Sequence, residues 1–585
     1  MNKRSFPLAD WLWFLVCGLA SSLWCLTVAR QLSATFDEPI YLEQGLRAWR
    51  TGSHQGLIHL GTMPLPIDVQ TLPIHIWERL HHTHFDLANN LTQPLMWARA
   101  GNLVFWWLLL AYGLLNARRL GGPWAGRLAV GLLACEPNLL AHASLATTDI
   151  AVSACLLAFV YHYQTGRGKS WAGRVGLPAL WLAAVVLAKA SGPIFAILCM
   201  LVIEWDYCRD KPEASAFPAT TRFGSLTFLR ERVLWKDIGR IVGWGMLFVF
   251  IYCGCDWQPQ PDLVRGAQHM SPGTGRTFLV WLAEHLRIFS NAGEGIQRQI
   301  AHNGSGHGWF LLGRSGPRAV WYYFPVALTI KLSPPLLLLP LIIALVRARY
   351  LANWACLCAL LLVLLSVTYR VQIGIRYLVP PVCLAIVGLS GAVVCAARED
   401  GREVEAVETA ETGRLRTARM RARIPLVIAC ISILWTTVTA VQWWPNALCY
   451  TNGLWGDPRW GYLLISDSNY DWGQGLPELR QWQESHPKMP LSLWYFGHDP
   501  QSHQFSEILL HKLPIHSGAD LNQYLQGHYL AVSMTVIYGG YAISREPYVV
   551  YLRSCRPMAR TTTFLIYDFT ATGTNPKADW PRKSP

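Results

Sequence analysis

The sequence predicts a mainly α-helical, polytopic membrane protein that ends in a small α/β domain. Three observations lead there. The 585 residues are 52% hydrophobic and only 15% charged, where soluble chains carry about 25% charge. The apolar residues come in blocks long enough to cross a bilayer. The short loops rich in Lys and Arg all fall on one side when those blocks are threaded alternately. The 28 tryptophans fit the same picture, since an indole ring with one polar atom sits well at the bilayer-water boundary.

Taken in order, the blocks suggest about eleven spans. The first, 11–29, follows Lys3 and Arg4, which puts the N terminus in the cytoplasm; a retained anchor fits its length better than a cleaved signal peptide. Residues 31–95 then form an external loop whose interleaved His, Trp and Leu predict short amphipathic helices along the membrane surface. Further spans are expected at 95–115, 128–140, from Asp149 to about 163, 175–188, from 192 to about 204, 238–253, 321–346, 353–367, from 377 to about 397, and 424–441. Arg118, Arg119, Arg174, Lys211, Arg230, Arg347 and Arg349 then lie in cytoplasmic loops. A charged linker at 398–424 joins the last two spans.

Residues 1–441 thus form a transmembrane domain, and 442–585 an external α/β domain. Strands are expected at 491–496, 529–538 and 562–569, with a turn into a helix across 471–482. The expected location is the plasma (inner) membrane, multi-pass, with the C-terminal domain outside the cytoplasm.

The formal charge of +14 is explained by membrane orientation rather than by nucleic acid, because the basic residues sit in the inner loops. The 15 cysteines lie mostly in apolar runs as small hydrophobes. Cys449 and Cys555 share the external segment, where pairing is open to them. No ligand spacing suggests a metal: Cys253-Gly-Cys255 is too tight, and His59, His75, His81, His82 and His84 follow no pattern. No Walker-type loop is present. Neither a metal nor another cofactor is therefore expected.

The informative residues are ionisable groups at the outer membrane edge: Asp37 and Glu38 after the first span, Asp149 atop the fourth, Lys189 between the fifth and sixth, Lys331 within the eighth, and Arg376 opening the tenth. Such groups are costly at a membrane and point to function. Carboxylates with cations suit an acid-base step beside an anionic ligand, most simply a phosphate. Each has a plainer reading. Asp37, before Glu38-Pro39, has the pattern of a helix N-cap, with Gly52 suiting that helix's end. Asp149 equally suits a cap. Lys189 suits snorkelling to head groups, and Arg376 a simple interface marker. Lys331 lies deeper, which suits a buried partner or a lipid phosphate.

Several blocks carry a family resemblance. Phe36-Asp37-Glu38-Pro39 with Trp49-Arg50-Thr51-Gly52, the run from Pro137-Asn138 to Thr148-Asp149, Leu187-Ala188-Lys189, His307 to Gly313, Trp321 to Pro325 with Lys331, and Ile373-Gly374-Ile375-Arg376-Tyr377 are similar, in this order, to blocks of GT-C fold integral-membrane glycosyltransferases. Within that fold they resemble the protein O-mannosyltransferases (glycosyltransferase family 39) and the lipid A aminoarabinose transferases. The run Asp467 to Gln474 resembles a block in bacterial relatives with a similar tail. One departure stands out: Gly313 is followed by Arg314, where many relatives have an acid.

The resemblance implies transfer of one sugar from a polyprenyl-phosphate donor to an acceptor hydroxyl outside the cytoplasm, with inversion. It implies Asp37 as general base, Glu38 orienting it or the acceptor, and Asp149 positioning acceptor or sugar. Lys189, Lys331 and Arg376, with Arg50 as a further candidate, would neutralise the phosphate. The partners implied are the lipid-linked sugar, membrane lipids and an acceptor (protein, glycan or lipid) that the sequence does not name. Two other readings stay open: a polyprenyl-lipid transporter or flippase using the same charges, and a non-catalytic envelope scaffold.

Overall fold

In the computed structural model the described residues are 7–209, 232–255, 257, 261–286, 291–408, 414–507 and 515–570. The inner loop expected between 205 and 237 lies largely outside them. The protein is a polytopic helical membrane protein with an α/β tail. Four stretches are apolar and long enough to cross a membrane, Leu8–Ala29, Thr92–Gly121, Pro334–Leu351 and Ile375–Arg398, and four shorter apolar helices accompany them.

Helix α1 (Leu8–Ala29) starts after Pro7, which has no N–H to waste at a helix start. Its buried Asp10 pairs with Arg118 and with Arg127 at 2.6 Å. The first loop is helical: α2 (Glu38–Thr51), α3 (Gln55–His59) and α4 (Pro64–His81). Gly52 ends α2 at φ 74°, a left-handed conformation that glycine adopts without a Cβ clash. Helix α4 buries Ile67, Gln70, Thr71 and Ile74, so it packs into the protein rather than merely lying on the membrane. Helix α5 (Thr92–Gly121) follows.

The span expected at 128–140 is broken. Helix α6 (Pro123–Cys135) stops at Glu136, and α7 (Pro137–Ala143) restarts on Pro137, because proline lacks an N–H and disfavours helix in the residue before it. Helices α8 (Asp149–Thr165), α9 (Leu177–Ala188), α10 (Gly192–Arg209) and α11 (Arg232–Cys253) come next. The long loop holds α12 (Pro261–Gln268), α13 (Thr274–His285), α14 (Asn291–Ser305) and a hairpin of β1 (Trp309–Leu311) and β2 (Arg314–Gly316).

The span expected at 321–346 is also broken, into α15 (Tyr323–Lys331) and α16 (Pro334–Arg347), by Pro334-Pro335. The two breaks meet. The Ser333 hydroxyl donates to Glu136 Oε2 at 2.5 Å, and Asn138 Nδ2 donates to the Lys331 carbonyl at 2.5 Å. Helices α17 (Trp354–Ser366), α18 (Val379–Glu408) and α19 (Arg414–Gln442) complete the bundle.

The tail contains α20 (Leu476–Ser485), β3 (Leu491–Trp494), β4 (Ser506–Glu507), α21 (Gly518–Leu525), β5 (Tyr529–Ser533), α22 (Met534–Tyr538), α23 (Pro547–Ser554), β6 (Ala559–Arg560) and β7 (Phe564–Asp568). The strand expected over 529–538 ends at Ser533 and turns into α22. The five strands lie in the order β4-β3-β5-β7-β6, with β3 parallel to β4 and β5, and β7 antiparallel to its neighbours. Alternating side chains split between two cores, as a strand's period of two requires. Trp494, Leu530, Val532, Leu565 and Tyr567 enter one, and Leu491, Leu493, Ala531, Phe564 and Ile566 the other. Cys449 and Cys555 are both free thiols; the Cys449 thiol donates to the Tyr470 carbonyl at 2.9 Å instead.

One ion pair ties the first loop to the bundle. Glu38 is wholly buried and receives Arg99 through Nε at 2.9 Å and Nη2 at 2.7 Å. It also accepts the Thr35 and Ala146 N–H groups at 2.8 and 2.7 Å. Burial by itself would raise the Glu38 carboxyl; Arg99 and these N–H groups outweigh it and hold the group below its ordinary value. Removing one member of such a pair strands a buried charge at a cost of about 3–5 kcal/mol. Glu38→Gln and Arg99→Met are each expected to lower the melting temperature strongly, and the double variant to lose less than the sum, in thermal unfolding of detergent-solubilised protein. Because the folded-state carboxyl lies below 4.5, its contribution is full above that pH and lost as pH falls through the folded value. Glu38→Gln is expected to flatten that part of the acid limb.

Candidate active site

Asp37 and Glu38 are consecutive, yet they do opposite things. Neighbouring residues at a helix start point about 100° apart. Glu38 turns inward to Arg99, whereas Asp37 turns outward to a cavity of about 750 Å³. Asp37 occupies the N-cap position of α2 but makes no capping side-chain hydrogen bond. Its Oδ2 instead accepts Arg376 Nη1 at 2.6 Å and the Tyr41 hydroxyl at 3.4 Å. The capping reading of this side chain is therefore replaced by an ion pair across the cavity.

Arg376 sits on a short 3₁₀ turn, Ile375–Leu378. That turn is fixed by Asn469, whose Oδ1 accepts the Ile375 N–H at 2.8 Å. The Arg376 guanidinium lies 4.5 Å from the Trp472 ring centroid and 5.5 Å from that of Tyr377. Its Nε is buried with no hydrogen-bond partner among the described residues. The group is thus held on one side by Asp37 and retains a donor for a ligand.

Asp149 opens α8, and its carboxylate forms an ion pair with Lys189. Lys189 occupies an extended break between α9 and α10, at φ −160° and ψ 141°. Its ammonium lies 4.8 Å from the Tyr377 ring centroid. One tyrosine ring therefore carries both cations. A second, largely apolar groove of about 360 Å³ is lined by Met63, Ile194, Ile296 and Ile300 together with Asp149 and Lys189. The groove and the polar cavity share Tyr41, Arg376 and Tyr377, so they join at the cations.

Four of the residues expected from sequence (Asp37, Asp149, Lys189 and Arg376) thus surround one junction, and three do not. Glu38 is sealed against Arg99 and does not line the cavity, so it orients the loop rather than an acceptor. Arg50 pairs with Glu78 at the other end of α2, because an arginine twelve residues beyond Glu38 rides three turns along the helix. Lys331 is 1% exposed, and its Nζ donates to the Leu448 and Asn469 carbonyls at 2.8 and 2.6 Å. It holds the backbone of Asn469, which in turn fixes the Arg376 turn, and lines neither opening.

The structure adds site residues that the sequence offered only as members of blocks, without a role, or not at all. Asp467 lines the polar cavity with Trp472, Phe496 and Tyr541. The Tyr541 hydroxyl donates to Asp467 Oδ2, and the Ser468 N–H to its Oδ1 at 2.6 Å. Burial pushes the Asp467 carboxyl up to about 6. His307, whose ring meets Tyr541 edge-on at 4.9 Å, is held below its ordinary value by burial and by the nearby His302 and Arg376. The block from Asp467 to Gln474 was visible in sequence as a motif; Tyr541 carried no local pattern. Among the described residues no three of His, Cys, Asp and Glu gather at a metal-sized site.

No protein-family model matches the chain, and no curated protein matches it. Among solved structures it is similar to ArnT from Cupriavidus metallidurans in the apo state, with 14% identity and a TM-score of 0.43 over 94% of this chain and 97% of that one. It is similar to the same protein bound to undecaprenyl phosphate, with 13% identity and a TM-score of 0.44 over 95% of this chain and 98% of that one. It is also similar to the Archaeoglobus fulgidus oligosaccharyltransferase in the apo form, with 10% identity and a TM-score of 0.43 over 90% of this chain and 70% of that one. With identities and TM-scores this low, nothing about the chemistry of the site follows from them.

Proposed function

We propose that the protein is a membrane glycosyltransferase that moves one sugar from a polyprenyl-phosphate donor to an acceptor hydroxyl on the extracytoplasmic side, with inversion. The observation that carries this reading is the junction itself. Two carboxylates and two cations, Asp37 with Arg376 and Asp149 with Lys189, meet where an apolar groove opens into a polar cavity. A lipid phosphate has one apolar end and one anionic end, and the groove with Lys189 and Arg376 matches both. The bias of Lys and Arg toward the opposite loops supports an outer-side position for this junction.

In the proposed reaction the acceptor hydroxyl approaches from the polar cavity and gives its proton to Asp37 Oδ2. Its oxygen forms a bond to the anomeric carbon on the face opposite the phosphate. The carbon-oxygen bond to phosphate breaks, and the electron pair leaves with the lipid phosphate. Arg376 and Lys189 balance the charge that develops on that oxygen, which is where fixed cations contribute most to rate. Arg376 currently occupies Asp37 Oδ2. A donor phosphate draws the guanidinium toward itself and frees that oxygen for the acceptor, so donor binding readies the base. Tyr377 keeps both cations beside the groove. Positive charge for the phosphate comes from side chains, and the proposal includes metal-independent transfer.

Purified full-length protein with radiolabelled undecaprenyl-phosphate hexoses tests the reading, scored as release of lipid phosphate and transfer of label. Asp37→Asn is expected to lower kcat by ~10²–10⁴-fold, the range for loss of a general base. Transfer that survives this change sinks the base assignment, and lipid movement across liposomes without any transfer sinks the enzyme reading in favour of a transporter. Lys189→Met and Arg376→Met are each expected to cost ~10²–10³-fold. Chelation with EDTA is expected to leave the rate unchanged; a loss restored by a divalent cation would overturn the metal-independent step.

A further inference from the structure

The polar cavity has two unlike sides. One is the junction with the groove, and the other is a wall supplied by the tail: Asp467, Trp472, Phe496 and Tyr541. None of these four lines the apolar groove, and Asp149 and Lys189 do not line the polar cavity. Asp37 lies between, on the polar side.

The wall has a definite chemistry. Phe496 stacks on Phe36 with ring centroids 5.0 Å apart, and Tyr541 meets Phe496 at 5.3 Å. Trp472 lies beneath the Arg376 guanidinium. Into this aromatic surface is set the Asp467 carboxylate. Each of its oxygens accepts one described hydrogen bond, so about two of its four lone-pair sites remain for a ligand. Its backbone sits at φ 58°, in the left-handed region that non-glycine residues seldom adopt and that clusters at functional sites. The Thr535 hydroxyl stabilises that conformation by accepting the Asp467 N–H at 3.0 Å. The buried His307 Nδ1, on the same cavity, has no hydrogen-bond partner among the described residues.

Acceptors of hydroxyl protons set among aromatic faces suit one ligand class. A pyranose ring offers several O–H donors around its rim and an apolar C–H face to an aromatic ring. The cations on this cavity are already paired, Arg376 with Asp37 and Arg298 with Glu294, so with Asp467 added the charge balance does not select an anion, and the same charges disfavour an acyl chain. We infer that the wall built by Asp467, Trp472, Phe496 and Tyr541 is a saccharide subsite on the acceptor side, so that the hydroxyl presented to Asp37 belongs to a glycan. This deepens the proposed transferase reading and rests on it.

Saturation-transfer NMR on the detergent-solubilised full chain tests the subsite. The probes are methyl mannopyranoside, methyl glucopyranoside, N-acetylglucosamine and maltotriose, with hexadecyl phosphate as the anionic-lipid probe and a serine-containing peptide as the rival acceptor. Saturation of sugar ring protons is expected, with affinity weakened about tenfold by Asp467→Asn, as for loss of a hydrogen bond to a charged group. Phe496→Leu is expected to act likewise, while hexadecyl phosphate still binds. Tyr541→Phe keeps the ring and removes only the hydroxyl, and melting temperatures identify any variant that fails to fold.

Because the carboxyl ionises near 6, it becomes the stronger acceptor as pH rises through that value, and sugar affinity is expected to climb ~2–3-fold between pH 5 and pH 7.5. Tyr541, Arg376 and Asp37 also face it, and Tyr323 and the buried Asp471, itself pushed up to about 7, interact with it, so the climb must vanish in Asp467→Asn to belong to Asp467. Three results overturn the inference: no sugar of the panel binds, binding ignores the wall variants, or the peptide occupies the cavity instead. Displacement of the sugar by a short-chain lipid-phosphate hexose overturns its acceptor side, and simultaneous binding supports it. Donor cleavage without sugar binding sinks the subsite and leaves the transferase standing; sugar binding without donor cleavage does the reverse.

Discussion

Arg99 and Glu38 tie the first loop, the exit of α1 and the turn before α8 to one another. Arg99 reaches from α5 and donates to the Ala29, Leu32 and Ser33 carbonyls as well as to Glu38. The chain leaving the first span would otherwise bury those carbonyls without partners. Glu38 in turn accepts the N–H of Ala146, three residues before Asp149. A single buried charge pair thus sets the exit of α1, the start of α2 that carries Asp37, and the loop that carries Asp149. Buried pairs of this kind seldom add net stability over an apolar substitute. Their value here is geometric, because they fix where two carboxylates stand.

The tail extends the same logic. It is threaded into the membrane-embedded part rather than resting on it. The Ser33 N–H donates to the Gln474 carbonyl at 3.1 Å, that of Phe36 to the Trp472 carbonyl at 2.8 Å, and that of Ala34 to Asp499 Oδ2 at 2.6 Å. Asn469 fixes the Arg376 turn through one side-chain oxygen and donates its amide to the Tyr323 hydroxyl at 3.1 Å. Lys331, expected at a phosphate, serves this arrangement by gripping the Asn469 carbonyl. A lysine with two carbonyl partners and, among the described residues, no carboxylate at hydrogen-bond distance is costly to bury, so the cost is borne where it fixes the loop beneath Arg376.

Much of this was legible in the sequence, and the failures share a cause. Long apolar blocks and one-sided basic loops predicted the helical membrane architecture, because bilayer thickness and hydropathy act on stretches of twenty residues. Asp37, Asp149, Lys189 and Arg376 were legible because each is a charge at a membrane edge. Glu38 and Lys331 drew attention by the same rule, and Arg50 only through the family resemblance, but the rule marks expensive charges without distinguishing a ligand from an internal partner. Glu38 and Lys331 found Arg99 and two carbonyls, contacts set by residues 61 and more positions away. The breaks at Glu136-Pro137 and Ser333-Pro334 were written locally in proline, but hydropathy averaged over them. Tyr541 was invisible because its meaning comes only from Asp467, 74 residues earlier.

The division of the cavity follows from which part of the chain supplies each side. The groove is made by residues 61–63 of the first loop, the starts of α8 and α10, α14 and the 369–377 turn, and Met63, Ile194, Ile296 and Ile300 give it a lipid-compatible surface. The aromatic wall is made by the tail, whose residues have no bilayer to satisfy and are free to specify a ligand. Asp37 and Arg376 stand at the seam, one from the first loop and one from the turn that Asn469 holds. In the proposed reaction the donor side is therefore tied to the membrane scaffold and the acceptor side to the tail. A change of acceptor could then arise by substitutions in the tail that leave Lys189, Asp149 and the Arg99–Glu38 pair untouched, since the two sides share only Tyr41, Arg376, Tyr377 and a few neighbours.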